Sequence, residues 1–117
     1  MTPKTVAIAA ALAVLVLVSA AASALAAGSW VNGNELKKYC SSNSYERGIC
    51  LGFTSAVANI VANEPVAGWR ACIPDGVTRG QLRDIMVKFL DDHPEELHLE
   101  AASLAARAYK EAFPCPQ

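Results

Sequence analysis

Two histidines, a run of acids and four cysteines are the residues in this chain whose types could do chemistry. His93 and His98 stand five apart, with Glu95 and Glu96 between them. A zinc hydrolase helix needs H-E-x-x-H, with two His four apart on one face and a Glu beside the first. That spacing is missing, so His93 reads as a turn or cap residue and His98 as a surface or packing residue. Asp91, Asp92, Glu95 and Glu96 could bind a cation, but four acids at a helix N-terminus read better as a solvated cap. A nucleophilic cysteine needs a free thiolate and a histidine to activate it. Cys40, Cys50, Cys72 and Cys115 are an even set in a short chain, which argues for two disulfides and leaves no thiol to react. There is no Gly-rich phosphate loop and no Ser-centred elbow. The residues imply no metal, no cofactor and no enzyme.

The acids and two of the cysteines belong to a helical hairpin from Cys72 to Cys115. Thr78 and Gln81 make a T-x-x-Q capping box, with Val77 and Leu82 placed as a hydrophobic staple. Leu82, Ile85, Met86 and Phe89 follow at helical spacing and define an inward stripe. Asp91-Asp92-His93-Pro94 reads as the turn. Pro94 suits the first position of the next helix, and Glu95 and Glu96 its first turn. The spacing predicts an inward stripe of Leu97, Ala101, Leu104, Ala108 and Ala112, ended by Pro114 and Pro116. An antiparallel hairpin brings Cys72 near Cys115.

A second hairpin precedes it. Gly33-Asn34-Glu35-Leu36 opens a first helix with Asn34 as cap, ending near Ser41-Ser42. Ser44 caps a second helix from about Tyr45 to Val61, carrying Ile49, Cys50, Phe53, Val57, Ile60 and Val61 on its inward face. Gly52 and Ala56 offer a smooth side for close helix contact. Cys40 and Cys50 meet across the corner. Of three possible connectivities, geometry favours Cys40–Cys50 with Cys72–Cys115. The runner-up, Cys50–Cys72, needs a loop that returns along most of a helix. In the chain-entropy model such links are worth about 3 and about 4 kcal/mol, which a small domain with a thin core needs. The fold class is all-α, a small four-helix bundle of two helical hairpins. The longest irregular segment, residues 63–71, carries Trp69 and Arg70, residue types common at binding hot spots; Trp69 could equally serve as a lid on the core.

Residues 1–26 read as a cleaved export signal. Lys4 supplies the positive start, Val6 to Val18 the apolar core, and Ala24-Leu25-Ala26 the small-x-small pattern at the cut. A retained membrane anchor is the competing reading, since the uncharged run reaches the roughly 20 residues of a span. The mature domain is then 27–117, outside the cytoplasm and with no membrane attachment after cleavage. Without Lys4 it holds nine basic and eleven acidic residues, a net charge of −2. That balance gives no reason to expect nucleic acid or an anionic membrane as partner.

The ordered set of short motifs resembles the Rap/Tai immunity proteins. The matching residues are Gly33-Asn34-Glu35-Leu36, Cys40, Cys50, Gly52-Phe53, Cys72-Ile73-Pro74, Gly76-Val77-Thr78, Gln81-Leu82, His93-Pro94-Glu95, His98 and Ala112-Phe113-Pro114-Cys115. Ala56 stands where that family is expected to have a second glycine. The family protects bacteria against amidase toxins delivered by type VI secretion. The resemblance implies a periplasmic helical protein, often a homodimer, that binds a cognate amidase effector and occludes its cleft. For the contact surface, the first expectation is the acidic turn of Asp91, Asp92, Glu95 and Glu96, and the second is the loop of Trp69 and Arg70. The rival class is a periplasmic stress or chaperone-like protein of the same fold.

Overall fold

The computed structural model describes residues 30–117, so the expected export signal and its cleavage point lie outside the described residues. Four α-helices follow in order: α1 (Gly33–Ser41), α2 (Tyr45–Val61), α3 (Arg79–Asp92) and α4 (Ala101–Ala112). A single 3₁₀ turn, Pro94–Glu96, lies between the last two. Helix α1 packs on α2 and α3 on α4, while α2 lies against both helices of the second pair. The bundle is all-α among the described residues, and none of its helices is long and apolar enough to cross a membrane.

Helix starts follow side-chain chemistry, with one shift from expectation. Asn32, not Asn34, caps α1. Its Oδ1 accepts from the Glu35 amide at 3.1 Å, and Glu35 Oε2 accepts from the Asn32 amide at 3.1 Å. The reciprocal bond needs the carboxylate three positions after the cap, and only Asn32 has Glu35 at that spacing. Thr78 and Gln81 form the expected box on α3, at 3.2 and 2.8 Å. Ser44 sits at the cap position of α2, but its hydroxyl meets Ser42 Oγ at 2.8 Å instead of the helix.

The larger difference is the start of α4. Pro94 opens only the 3₁₀ turn, and the helix begins at Ala101. Residues 97–100 are held out of helix by the open end of α1. The Gly33 amide donates to Leu99 O at 3.0 Å and the Asn34 amide to Leu97 O at 2.9 Å, while the Ala101 amide donates to Val31 O at 3.0 Å. First-turn amides have no partner within their own helix, and here a neighbouring segment supplies the carbonyls. Local helix signals lose to that demand.

Both expected disulfides are present. Cys40–Cys50 spans 5.0 Å between Cα atoms and Cys72–Cys115 spans 4.9 Å. The core comprises Leu36, Cys40, Cys50, Val57, Val61, Leu82, Met86, Phe89, Leu90, Leu104 and Tyr109, with six alanines filling the close contacts. On α4 the central core residue is Tyr109, and the expected Ala112 is exposed. On α2 the buried face is Cys50, Thr54, Val57, Ala58 and Val61. Ile60, expected inside, is 52% exposed, and Ile49 also reaches solvent. Thr54 is accommodated because its hydroxyl donates to Cys50 O at 2.8 Å. Gly52 and Ala56 lie on the solvent side, and a Cβ at Gly52 would meet nothing within 4 Å. Among the described residues they serve no helix contact.

Candidate partner-binding surface

The two histidines do not share a site. His93 is the C-cap of α3, stacked on Phe89 with ring centroids 4.2 Å apart, its Nδ1 2.8 Å from Phe89 O. His98 is exposed in the segment before α4. Among the described residues, no group of three or more His, Cys, Asp or Glu side chains is placed to hold a metal ion.

Three of the four acids at the turn are engaged by cations of this chain. Asp91 pairs with Lys37 of α1 at 2.8 Å, and Asp92 with Lys88 one helical turn back at 2.6 Å. The Lys88 hydrogen bond holds the Asp92 carboxyl below its usual range. Glu96 meets Arg107 Nη1 of α4 at 2.6 Å. Arg107 also reaches Glu111 through Nε at 3.2 Å and lies 4.9 Å above the Phe89 ring. Of the four, Glu95 is exposed and makes no ion pair among the described residues. The turn is therefore pinned to α1, α3 and α4 by its own charges.

The loop before Cys72 is built differently. Val66 and Trp69 exchange both backbone hydrogen bonds at 2.9 Å, enclosing Ala67 and Gly68 at φ +49° and +83°. Two central residues at positive φ define the tight type I′ hairpin turn. Glycine adopts that region freely, whereas alanine there costs about 1–2 kcal/mol. Trp69 is 36% exposed, and Lys110 Nζ of α4 lies 5.5 Å from its ring centroid. Arg70 Nη2 donates to Asn63 O at 3.3 Å. Among the described residues neither Arg70 nor Lys110 has a carboxylate within ion-pair distance. Lys110 had no local signal in the sequence. The Cys72–Cys115 pairing was the available one, because it sets the chain before Cys72 beside the end of α4, where the Cys72 amide donates to Phe113 O at 2.9 Å.

A shallow open groove runs along the outer side of α3 and α4, floored by Ile85, Phe89, Ala108 and Ala112 and enclosing about 220 Å³. Lys88, Asp92, His93 and Glu111 also line it.

The model of the Rap1a immunity proteins matches residues 32–115. The chain belongs to that family. The matched span begins at Asn32, the cap of α1, and ends at Cys115, the last disulfide cysteine. It is the whole disulfide-closed bundle. No curated protein and no solved structure matches the chain. Membership among Rap1a immunity proteins implies a protein toxin as the natural partner, so an exposed surface that is already rigid matters more here than a cavity.

Proposed function

We propose that this protein is a periplasmic immunity protein that binds a peptidoglycan amidase toxin delivered by type VI secretion and covers its active-site cleft without itself catalysing a reaction. The match of the Rap1a immunity family to the whole bundle carries the proposal. The fold is suited to it. An inhibitor gains affinity when its contact surface is ordered before binding, and two disulfides with no free cysteine supply that order. Disulfides persist in oxidising compartments, which supports export by residues 1–26 to the periplasm. Pairing of two copies belongs to the same proposal. The exposed α2 residues Tyr45, Ile49 and Ile60 offer apolar area for it.

The test is inhibition. Purified oxidised protein is added to a panel of type VI peptidoglycan amidases, and cleavage of peptidoglycan stem peptides is followed. One amidase is expected to be titrated to inactivity at near-equal stoichiometry. Full activity of every amidase in the presence of excess protein removes the amidase as target. Osmotic-shock fractionation checks the compartment, and light scattering of the purified chain checks the dimer.

A further inference from the structure

The proposed toxin contact can be narrowed by asking which charged groups the fold leaves unused. At the acidic turn, Asp91, Asp92 and Glu96 are already neutralised by Lys37, Lys88 and Arg107. Binding a basic partner there would have to compete with ion pairs the chain already makes. The opposite holds at the hairpin before Cys72. Lys110 Nζ lies 5.5 Å from the Trp69 ring centroid, Arg70 follows Trp69 in the chain and donates to Asn63 O, and among the described residues neither cation has a carboxylate within ion-pair distance. Arg47 and Arg79 also make no ion pair among the described residues, but neither lies over an aromatic ring there. Glu64, next in the chain to the Asn63 whose carbonyl Arg70 bonds, makes no ion pair with it.

The cluster is also held in place. The Val66–Trp69 bridge fixes the turn despite the left-handed alanine, Ala71 is buried with its amide donating to Val61 O at 3.2 Å, and Cys72 is tied to Cys115. Ala67 is the one non-glycine residue at positive φ among the described residues. Such outliers persist where surrounding structure imposes them, and they cluster at contact sites.

We infer that Trp69, Arg70 and Lys110 form the toxin-contacting surface and that they grip an acidic, carboxylate-bearing segment of the partner. This rests on the immunity reading above and names the surface and chemistry within it. Trp69 supplies flat apolar area, Arg70 a planar fork that matches a carboxylate in bidentate fashion, and Lys110 a second positive charge.

Two measurements test it. In the first, a short Glu-rich peptide is titrated into the oxidised protein carrying Trp30→Phe, which leaves Trp69 as the sole indole. A Lys-rich peptide of equal length is the control. Saturable NMR shifts are expected at the Trp69 indole and the Arg70 and Lys110 side chains with the acidic peptide only, and are expected to vanish in Arg70→Glu/Lys110→Glu. Shifts centred elsewhere, or none, overturn the assignment. In the second, affinity for the amidase that the protein inhibits is measured. Arg70→Glu/Lys110→Glu is expected to weaken it by roughly 30-fold or more, the scale of a hot-spot loss. Asp91→Asn/Asp92→Asn is expected to change it by less than about threefold, as for rim charges outside a contact core. Unchanged affinity in the Arg70/Lys110 variant, with an unchanged thermal midpoint, overturns the assignment. If no amidase binds the wild-type chain, the amidase reading fails, and the peptide titration alone decides this surface.

Discussion

Gly33 lies against the backbone of Leu97 with no room for a side chain between them. A Cβ on Gly33 would sit 2.9 Å from both Leu97 Cα and Leu97 O, and 2.8 Å from Leu104 Cδ1. The close approach lets the Gly33 and Asn34 amides reach the carbonyls of Leu99 and Leu97. It joins the two helix pairs at the end of the bundle opposite the Cys72–Cys115 link. Leu104 could swing aside, but backbone atoms could not without breaking those bonds. Gly33→Ala is therefore expected to cost about 2–3 kcal/mol, the upper range for overpacking. Urea unfolding measures it, and a loss below about 0.5 kcal/mol, that of an ordinary surface change, would show that the segment simply moves.

The two disulfides are expected to differ in weight. Cys72–Cys115 closes a separation of 43 residues and Cys40–Cys50 only 10. If each acts by restricting the unfolded chain, removing the first by paired serine substitution costs about 4 kcal/mol and the second about 3 kcal/mol. Cys40 and Cys50 are also fully buried, whereas Cys72 is exposed. Serine at the inner pair adds the penalty of buried hydroxyls, about 1–3 kcal/mol each when unpaired, so alanine is the cleaner probe there. Thermal midpoints of the two alanine pairs should fall in the order of loop length. The reverse order would mean that core packing, not chain entropy, dominates.

Tyr109 makes stability depend on alkaline pH. Its ring is fully buried, and its hydroxyl donates to Thr54 O and Leu82 O, both at 3.3 Å, linking α4 to α2 and α3. Burial pushes its phenol well above the ordinary value of about 10. In the unfolded chain the same group ionises near that ordinary value. The folded state thus binds the proton more tightly, and this contribution is complete below about pH 10 and is lost as pH rises beyond it. Tyr109→Phe should cost about 1 kcal/mol at neutral pH and flatten the decline above pH 10. An alkaline unfolding curve identical to wild type would locate that sensitivity in another group.

What the sequence disclosed and what it concealed divide along a physical line. Local chemistry was legible: the Thr78–Gln81 box, the span of α2, and the cysteine pairing, where turn lengths alone placed the sulfurs together. The start of α1 was legible too, because Asn32 and Glu35 have capping-box spacing. Asn34 drew attention away from it. Where one segment's needs are met by another, local signals failed. Pro94, Glu95 and Glu96 are a sound helix start, yet residues 97–100 unwind to serve the amides of Gly33 and Asn34. Ile49 and Ile60 follow apolar periodicity on a helix whose apolar residues run nearly all round, so burial had to be settled by packing. The candidate surface was half visible: Trp69 and Arg70 are neighbours in sequence, but Lys110 reaches Trp69 only through the folded chain.

Arg107 carries the last prediction, because it ties the acidic turn to the bundle. Its guanidinium bonds Glu96 at 2.6 Å and Glu111 at 3.2 Å while covering the Phe89 ring. Glu111 is on its own helix, so only the Glu96 bond crosses to the turn. Arg107→Met keeps much of the stem packing and removes the charge, and is expected to cost about 1 kcal/mol, as for a partly solvated cation bonded once to each of two carboxylates. Lysine should not restore it, since a single ammonium cannot serve two carboxylates and stack on the ring as a planar fork does. A double-mutant cycle with Glu96→Gln should give a coupling of about 0.5–1 kcal/mol. Amide exchange should quicken at Glu96 and Leu99, whose amides donate to His93 O and Glu96 O within the turn, and should stay slow in the Tyr109 turn of α4. Zero coupling with unchanged exchange would mean that Pro94 and the α1 amides hold the turn without the arginine.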